Sequence, residues 1–216
     1  MKNNLQLISS ILNMQMRSVP EGQGKRVLGR VQDRVMSLSS IHKALYSGTD
    51  VDNVRVDTLL SDVVSAAFTL GLPAGSGVKT DKELAPVYLD ADQAVPVALL
   101  TNELVTNAVK YVGRPKDGGP VIRVRLDQQD NEICLSVENT LGEPLREDLQ
   151  DESTGLGGRL IDAFVTQLGA AAEQTEGSGF YRVRVCFRSL SHQTEAPSVR
   201  DQVAKEVATL RRTAQA

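Results

Sequence analysis

Thr101-Asn102-Glu103-Leu104-Val105-Thr106-Asn107-Ala108-Val109-Lys110-Tyr111 sets an acid, an amide and an amine along one side of an otherwise apolar segment. Glu103, Asn107 and Lys110 are spaced four and three apart, so they share a helix face. Leu99, Leu100, Leu104, Val105, Ala108 and Val109 cover the rest. Such a stripe has two readings. It is either a solvated face carrying an ordinary helical ion pair, or a set of polar groups that a buried helix turns toward a bound ion or phosphate.

A second element, Ser153-Thr154-Gly155-Leu156-Gly157-Gly158-Arg159-Leu160-Ile161, precedes the amphipathic stretch Ile161 to Leu168. Glycines ahead of a helix let backbone N–H groups close on an anion, and the helix dipole favours negative charge there. This is neither a phosphate loop ending in Gly-Lys-Ser/Thr nor a dinucleotide fingerprint, and glycines at helix starts also serve plain turns.

In this order the two elements resemble the N-box and second glycine box of the GHKL ATPase superfamily, which includes sensor histidine kinases. The resemblance extends to the N-terminus. Met1-Lys2-Asn3-Asn4-Leu5-Gln6-Leu7-Ile8-Ser9-Ser10-Ile11-Leu12 is similar to the dimerisation helix of the histidine kinase subgroup related to the HWE kinases, where the pattern reads H-R-[VM]-K-N-N-L-Q-x-I-x-S-L-L. Arg34 to Tyr46 is similar to the second helix of the same hairpin. By this resemblance the family's phosphoacceptor histidine would lie two residues before Met1. The expectation is therefore a kinase fragment cut just after that histidine, with no phosphoacceptor in the chain. His42 falls on the apolar seam of the second helix and reads as a packing residue, and His192 lies in a polar tail.

Composition agrees with a globular protein. The chain has 216 residues, 41% of them hydrophobic, and a net charge of -3. That charge excludes the general basic character of a nucleic-acid binder. No run of about 18 apolar residues could span a membrane, and no signal peptide is legible, so the expectation is a cytoplasmic fragment without membrane contact. Cys134 and Cys186 both sit in strand-like runs and read as buried free thiols of a reducing compartment.

The pattern divides into a hairpin over residues 1–50, a globular domain over 51–188, and a linker with a C-terminal helix over 189–216. Leu5, Ile8 and Leu12 on the first helix, and Leu28, Val31, Val35, Leu38 and Leu45 on the second, follow a seven-residue repeat. A Pro- and Gly-broken loop over 17–25 folds the helices back antiparallel. Ile11, Met14, Met16, Val27 and Ile41 would stay wet in a lone hairpin, so residues 1–46 are expected to form a homodimeric four-helix bundle. In the second domain, Val56 to Leu70 reads as a helix capped by Asp57. Strands are expected at 78–80, 86–89, 121–126, 133–137, 170–175 and 180–188, and helices at 91–111 and 156–168. Helices on one side of a mixed sheet give an α+β fold, a two-layer α/β sandwich, which the resemblance implies to be of the Bergerat (GHKL ATPase) type.

The resemblance also implies roles. ATP and Mg²⁺ are the cofactors, with Asn107 as magnesium ligand and Glu103 as general base. Lys110 meets phosphate and Tyr111 lines the nucleotide pocket. Thr154, Gly155, Leu156, Gly157 and Leu160 contact the nucleotide from the glycine turn. The family's first glycine box, D-x-G-x-G after a strand, is replaced here by Glu138-Asn139-Thr140-Leu141-Gly142-Glu143. Asn139 takes the Asp position and Leu141 and Glu143 replace both glycines; a one-residue slide would instead place Glu138 there and recover Gly142. The acidic run 143–152 reads as a small nucleotide lid or a surface loop. The implied function is the catalytic core of a two-component histidine kinase, passing the γ-phosphoryl of ATP to histidine and then to a response-regulator receiver aspartate. The alternative is a non-catalytic dimeric scaffold, or a histidine phosphotransferase relative, with a degenerate nucleotide site.

Overall fold

A computed structural model describes residues 54–145 and 156–190, together with positions 22, 24 and 29. The expected dimerisation hairpin, His42, the lid from 146 onward, Thr154, Gly155, His192 and the C-terminal helix lie outside the described residues.

The chain runs β1 (Val54–Arg55), α1 (Val56–Gly71), β2 (Lys79–Leu84), β3 (Tyr88–Leu89), α2 (Ala91–Tyr111), β4 (Gly113–Arg114), β5 (Val121–Gln129), β6 (Glu132–Thr140), β7 (Glu143–Pro144), α3 (Leu156–Gln167), β8 (Ala171–Gly177) and β9 (Phe180–Arg188). A five-stranded mixed sheet has the order β2-β5-β6-β9-β8, parallel between β2 and β5 and antiparallel elsewhere. Two short antiparallel ribbons, β1-β3 and β4-β7, stand apart from it.

Period-two alternation builds the layers. Ile122, Val124 and Leu126 of β5, Ile133, Leu135 and Val137 of β6, and Val183, Val185 and Phe187 of β9 are buried in one cluster with Leu60 of α1, with Val97, Leu100, Leu104 and Val105 of α2, and with Ile161 of α3. Helix α2 packs against α1 on one side and α3 on the other. It starts where Asp90 Oδ1 accepts from Gln93 N at 2.8 Å, satisfying one orphan donor of the first turn. Pro96 removes one helical donor without ending the helix. Buried Gln93 grips the exit of β9, donating to Arg188 O at 2.9 Å and accepting from Leu190 N at 2.8 Å.

Three local expectations are corrected. Asp57 does not cap α1: the helix begins at Val56 with Arg55 as N-cap and no side-chain capping bond. Asp57 sits in the first turn and pairs with Arg55 at 3.1 Å. The central strand does not stop at 137 but continues through Thr140, because Glu138, Asn139 and Thr140 pair with both β5 and β9 or with β9 alone. Cys134 and Cys186 are not free thiols. They lie opposite each other on β6 and β9, with Cα atoms 4.2 Å apart, and form a disulfide. Nothing local in the sequence announces this, since strand register alone joins residues 52 positions apart. The bond removes loop-closure entropy from the unfolded chain, so adding a thiol reductant is expected to cost about 2–4 kcal/mol of stability. Urea unfolding with and without reductant checks it; a Cys134→Ser variant should show no such dependence.

The sheet face away from the helix-packed core carries charge in rows set by register. Asp81, Arg123, Glu138 and Arg182 are successive cross-strand neighbours. Glu138 Oε1 accepts from Arg123 Nη1 at 2.6 Å, and Oε2 accepts from Arg182 Nε at 2.8 Å and also from its Nη2. Burial alone would raise the Glu138 carboxyl, but the hydrogen bonds and charges of Arg182 and Arg123 outweigh it and hold the group below its ordinary 4.5. A depressed folded value means that this stabilisation is fully present above the unfolded value and is lost as pH falls through the folded one. Glu138→Gln is therefore expected to flatten the fall in stability between about pH 6 and 3, as read by urea midpoints across that range.

Candidate functional site

The polar stripe of α2 turns away from solvent at its first member. Glu103 is only 6% exposed, while Asn107 and Lys110 are half-buried. A carboxylate is seldom buried this deeply on an ordinary solvated helix face. One turn further on, Lys110 Nζ lies 4.9 Å over the Tyr111 ring, a cation–π arrangement. Tyr111 itself is 43% exposed, leaving part of its surface open.

Asn139 lies beside this helix end. Strand alternation puts it on the same side as Ile133, Leu135 and Val137, and it is 3% exposed. Its Nδ2 donates to Thr140 O at 3.1 Å and to Tyr111 O at 3.4 Å. Two carbonyl oxygens around one end of the amide fix which end is nitrogen, and Oδ1 is left as the acceptor. Glu138 points the other way, into its pair of arginines. A slide of the first glycine box by one residue would therefore exchange a side chain on the helix side for one on the opposite face.

Gly142 has φ +146°, and a Cβ placed there would come within 2.0 Å of Arg114 O. Its lack of a side chain is what lets β7 approach β4, and Gly113 is in the same position, its hypothetical Cβ 2.6 Å from Gly142 N. Glu143 pairs with Arg114 in that ribbon.

From the glycine turn, Leu156 and Gly157 form the N-terminus of α3, with Gly157 and Leu160 half-buried. The structure thus brings the α2 stripe, Tyr111 and Asn139 to one end of the helix layer and sets α3 next to α2. Sequence reasoning missed Thr140 and Gly113, which hold this end together. A threonine at a strand end carries no distinguishing signal. Among the described residues, a cleft of about 370 Å³ lies between α1 and β2, lined by Asp57, Ser61, Asp62 and Lys82. Another, of about 340 Å³, lies at the β5–β6 turn. Neither includes the residues above.

Comparison with known proteins agrees with this arrangement. Residues 1–70 match a family model described as histidine kinase, and residues 92–207 match one described as histidine kinase-, DNA gyrase B-, and HSP90-like ATPase. The chain is 25% identical over 166 residues to the sensor histidine kinase PdtaS of Mycobacterium tuberculosis, covering 76% of this chain and 32% of that protein. It is also 25% identical over 146 residues to blue-light-activated histidine kinase 1 of Erythrobacter litoralis, covering 67% of this chain and 39% of the relative. The chain thus spans about a third of the length of these curated relatives. The histidine kinase domain of the blue-light-activated kinase EL346 of Erythrobacter litoralis has the same fold, with a TM-score of 0.58 at 18% identity over 84% of this chain and 95% of that domain. With ordered N-terminal and ATPase matches, a buried acid on the helix that carries the N-box pattern, and a histidine kinase fold, the chain belongs to the sensor histidine kinase family, with a GHKL-type ATPase domain.

Proposed function

We propose that this chain is the ATP-binding catalytic core of a two-component sensor histidine kinase, which transfers the γ-phosphoryl group of ATP to a histidine and thence to a response-regulator aspartate. The observation that carries this reading is the burial of Glu103 on the same helix face as Asn107 and Lys110. Phosphoryl transfer is mostly positioning and charge neutralisation. The donor set fits the nucleotide and its metal: an amide oxygen on Asn107 suits a hard cation, and the Oδ1 of Asn139 suits the amino group of adenine. When bound, Mg²⁺ neutralises phosphate charge. Glu103 would take the proton of the attacking imidazole, Lys110 would face phosphate, and Tyr111 and Leu160 would line the base and ribose side. Gly142, Thr154, Gly155, Leu156 and Gly157 would border the phosphates.

The proposal includes homodimerisation through residues 1–46, the division at about residues 50 and 188, and a receiver domain as partner. It includes a phosphoacceptor outside the chain, since the motif Lys2-Asn3-Asn4-Leu5-Gln6 follows the family's His-Arg pair. Among the described residues no helix is long and apolar enough to cross a membrane. In the cytoplasmic location proposed here, the Cys134–Cys186 bond would be open to reduction by cellular thiols.

One observation favours the scaffold alternative. The segment that is glycine-rich in the family is here partly a β-ribbon, with Glu143 paired to Arg114. Titration of the chain with a fluorescent ATP analogue and Mg²⁺ separates the two. Saturation in the micromolar to millimolar range, weakened in Asn107→Ala, is expected for the kinase core. No saturable binding at millimolar ATP would leave the scaffold.

A further inference from the structure

Helices leave their last carbonyls without internal partners, and two successive residues of β6 bond the chain where α2 ends, one at the helix's last residue and one at the start of β4. Asn139 Nδ2 reaches Tyr111 O at 3.4 Å. Thr140 Oγ1 donates to Gly113 O at 2.8 Å and accepts from Val121 N at 3.1 Å, with Val121 O further off at 3.5 Å. Thr140 is 3% exposed, so water cannot replace these bonds without the site opening. A single hydroxyl thus ties the start of β5 and the end of β6 to β4, the segment that directly follows Lys110 and Tyr111.

We propose that Thr140 is a positioning residue for the nucleotide: by holding Gly113 it fixes the last turn of α2 and with it the Lys110–Tyr111 pair. This rests on the nucleotide-binding reading given above. Valine matches threonine in shape but has no hydroxyl, so Thr140→Val would strand the buried Gly113 carbonyl and take the side-chain partner of the half-buried Val121 amide. Losing a hydrogen bond while leaving its partners buried is a change of about tenfold in an equilibrium constant.

The test uses the full chain with a fluorescent ATP analogue and Mg²⁺, together with amide hydrogen exchange over residues 111–114. Wild type should saturate. Thr140→Val should bind more weakly, by up to about tenfold, and exchange faster at 111–114, and Thr140→Ser, which keeps the hydroxyl, should bind within about twofold of wild type. If the valine variant does not fold, Thr140→Cys, a weak donor of similar size, is read in its place. Wild-type affinity in the folded valine or cysteine variant, or failure of serine to restore binding, overturns the positioning role, even if stability falls. A wild-type chain that does not saturate overturns both the nucleotide reading and the positioning role built on it. The two failures are therefore distinct: one is read from wild type, the other from the variants against a saturating wild type.

Discussion

Glu103→Gln is expected to slow phosphoryl transfer by about 10²–10⁴-fold while changing nucleotide affinity by no more than a few-fold. Glutamine keeps the size of the side chain, its oxygen acceptor and its place on α2, but it cannot take a proton from an attacking imidazole. Because Glu103 is only 6% exposed, water has poor access to substitute as base, which places the effect toward the upper part of that range. The measurement is γ-phosphate labelling of a chain extended by a His-Arg pair ahead of Met1, restoring the family motif, with the ATP-analogue affinity measured alongside. Equal labelling rates for the extended wild type and variant would remove Glu103 from the chemistry. Loss of nucleotide binding along with transfer would make it a binding or folding residue instead.

Gly142→Ala is the structural counterpart, with an expected loss of roughly 4 kcal/mol from strained backbone and steric overlap together. The φ of +146° disfavours any side chain, and the new Cβ would sit 2.0 Å from Arg114 O. The obstacle is main chain rather than the flexible end of a side chain, so the β4–β7 ribbon must separate. Urea unfolding measures the cost, and faster amide exchange at Gly113 and Arg114 locates it. A midpoint equal to wild type would mean that the ribbon contributes nothing to the folded state. The adenine-side loop and the last turn of α2 meet at this ribbon, so a folded Gly142→Ala chain is also expected to bind ATP more weakly.

How far these positions could be read in advance depends on the range of the force that decides each. The span of α2, residues 91–111, follows from local helical periodicity, and the structure has the expected bounds; the Asp90 cap that starts it is visible only in the structure. The same holds for α3, where expected and observed ends differ by one residue. Strands β5 and β6 were legible as a hairpin from alternation, but not their length: β6 runs three residues further because Glu138 and Asn139 pair with both β5 and β9, and Thr140 with β9 alone, a strand distant in sequence. Of the two short ribbons only β3 falls within an expected strand, at 86–89; β1, β4 and β7 carry no signal because strands of two residues have no alternation to detect. Asp57 was misread because a capping residue and a first-turn acid differ by a position or two in the chain and only by backbone geometry in space.

The candidate site divides in the same way. The spacing of Glu103, Asn107 and Lys110, the glycines at the start of α3 and the order of the motifs are properties of the chain alone, because the helix repeat and the sequence of a short segment act over a few residues. Whether Glu103 faces water or the interior, that Asn139 turns its amide to the end of α2 while Glu138 meets Arg123 and Arg182, and that Cys134 faces Cys186 were decided only by the tertiary structure. The reason is that strand register and helix packing are set by the burial of a whole apolar face, a sum over distant residues that no short stretch of sequence contains.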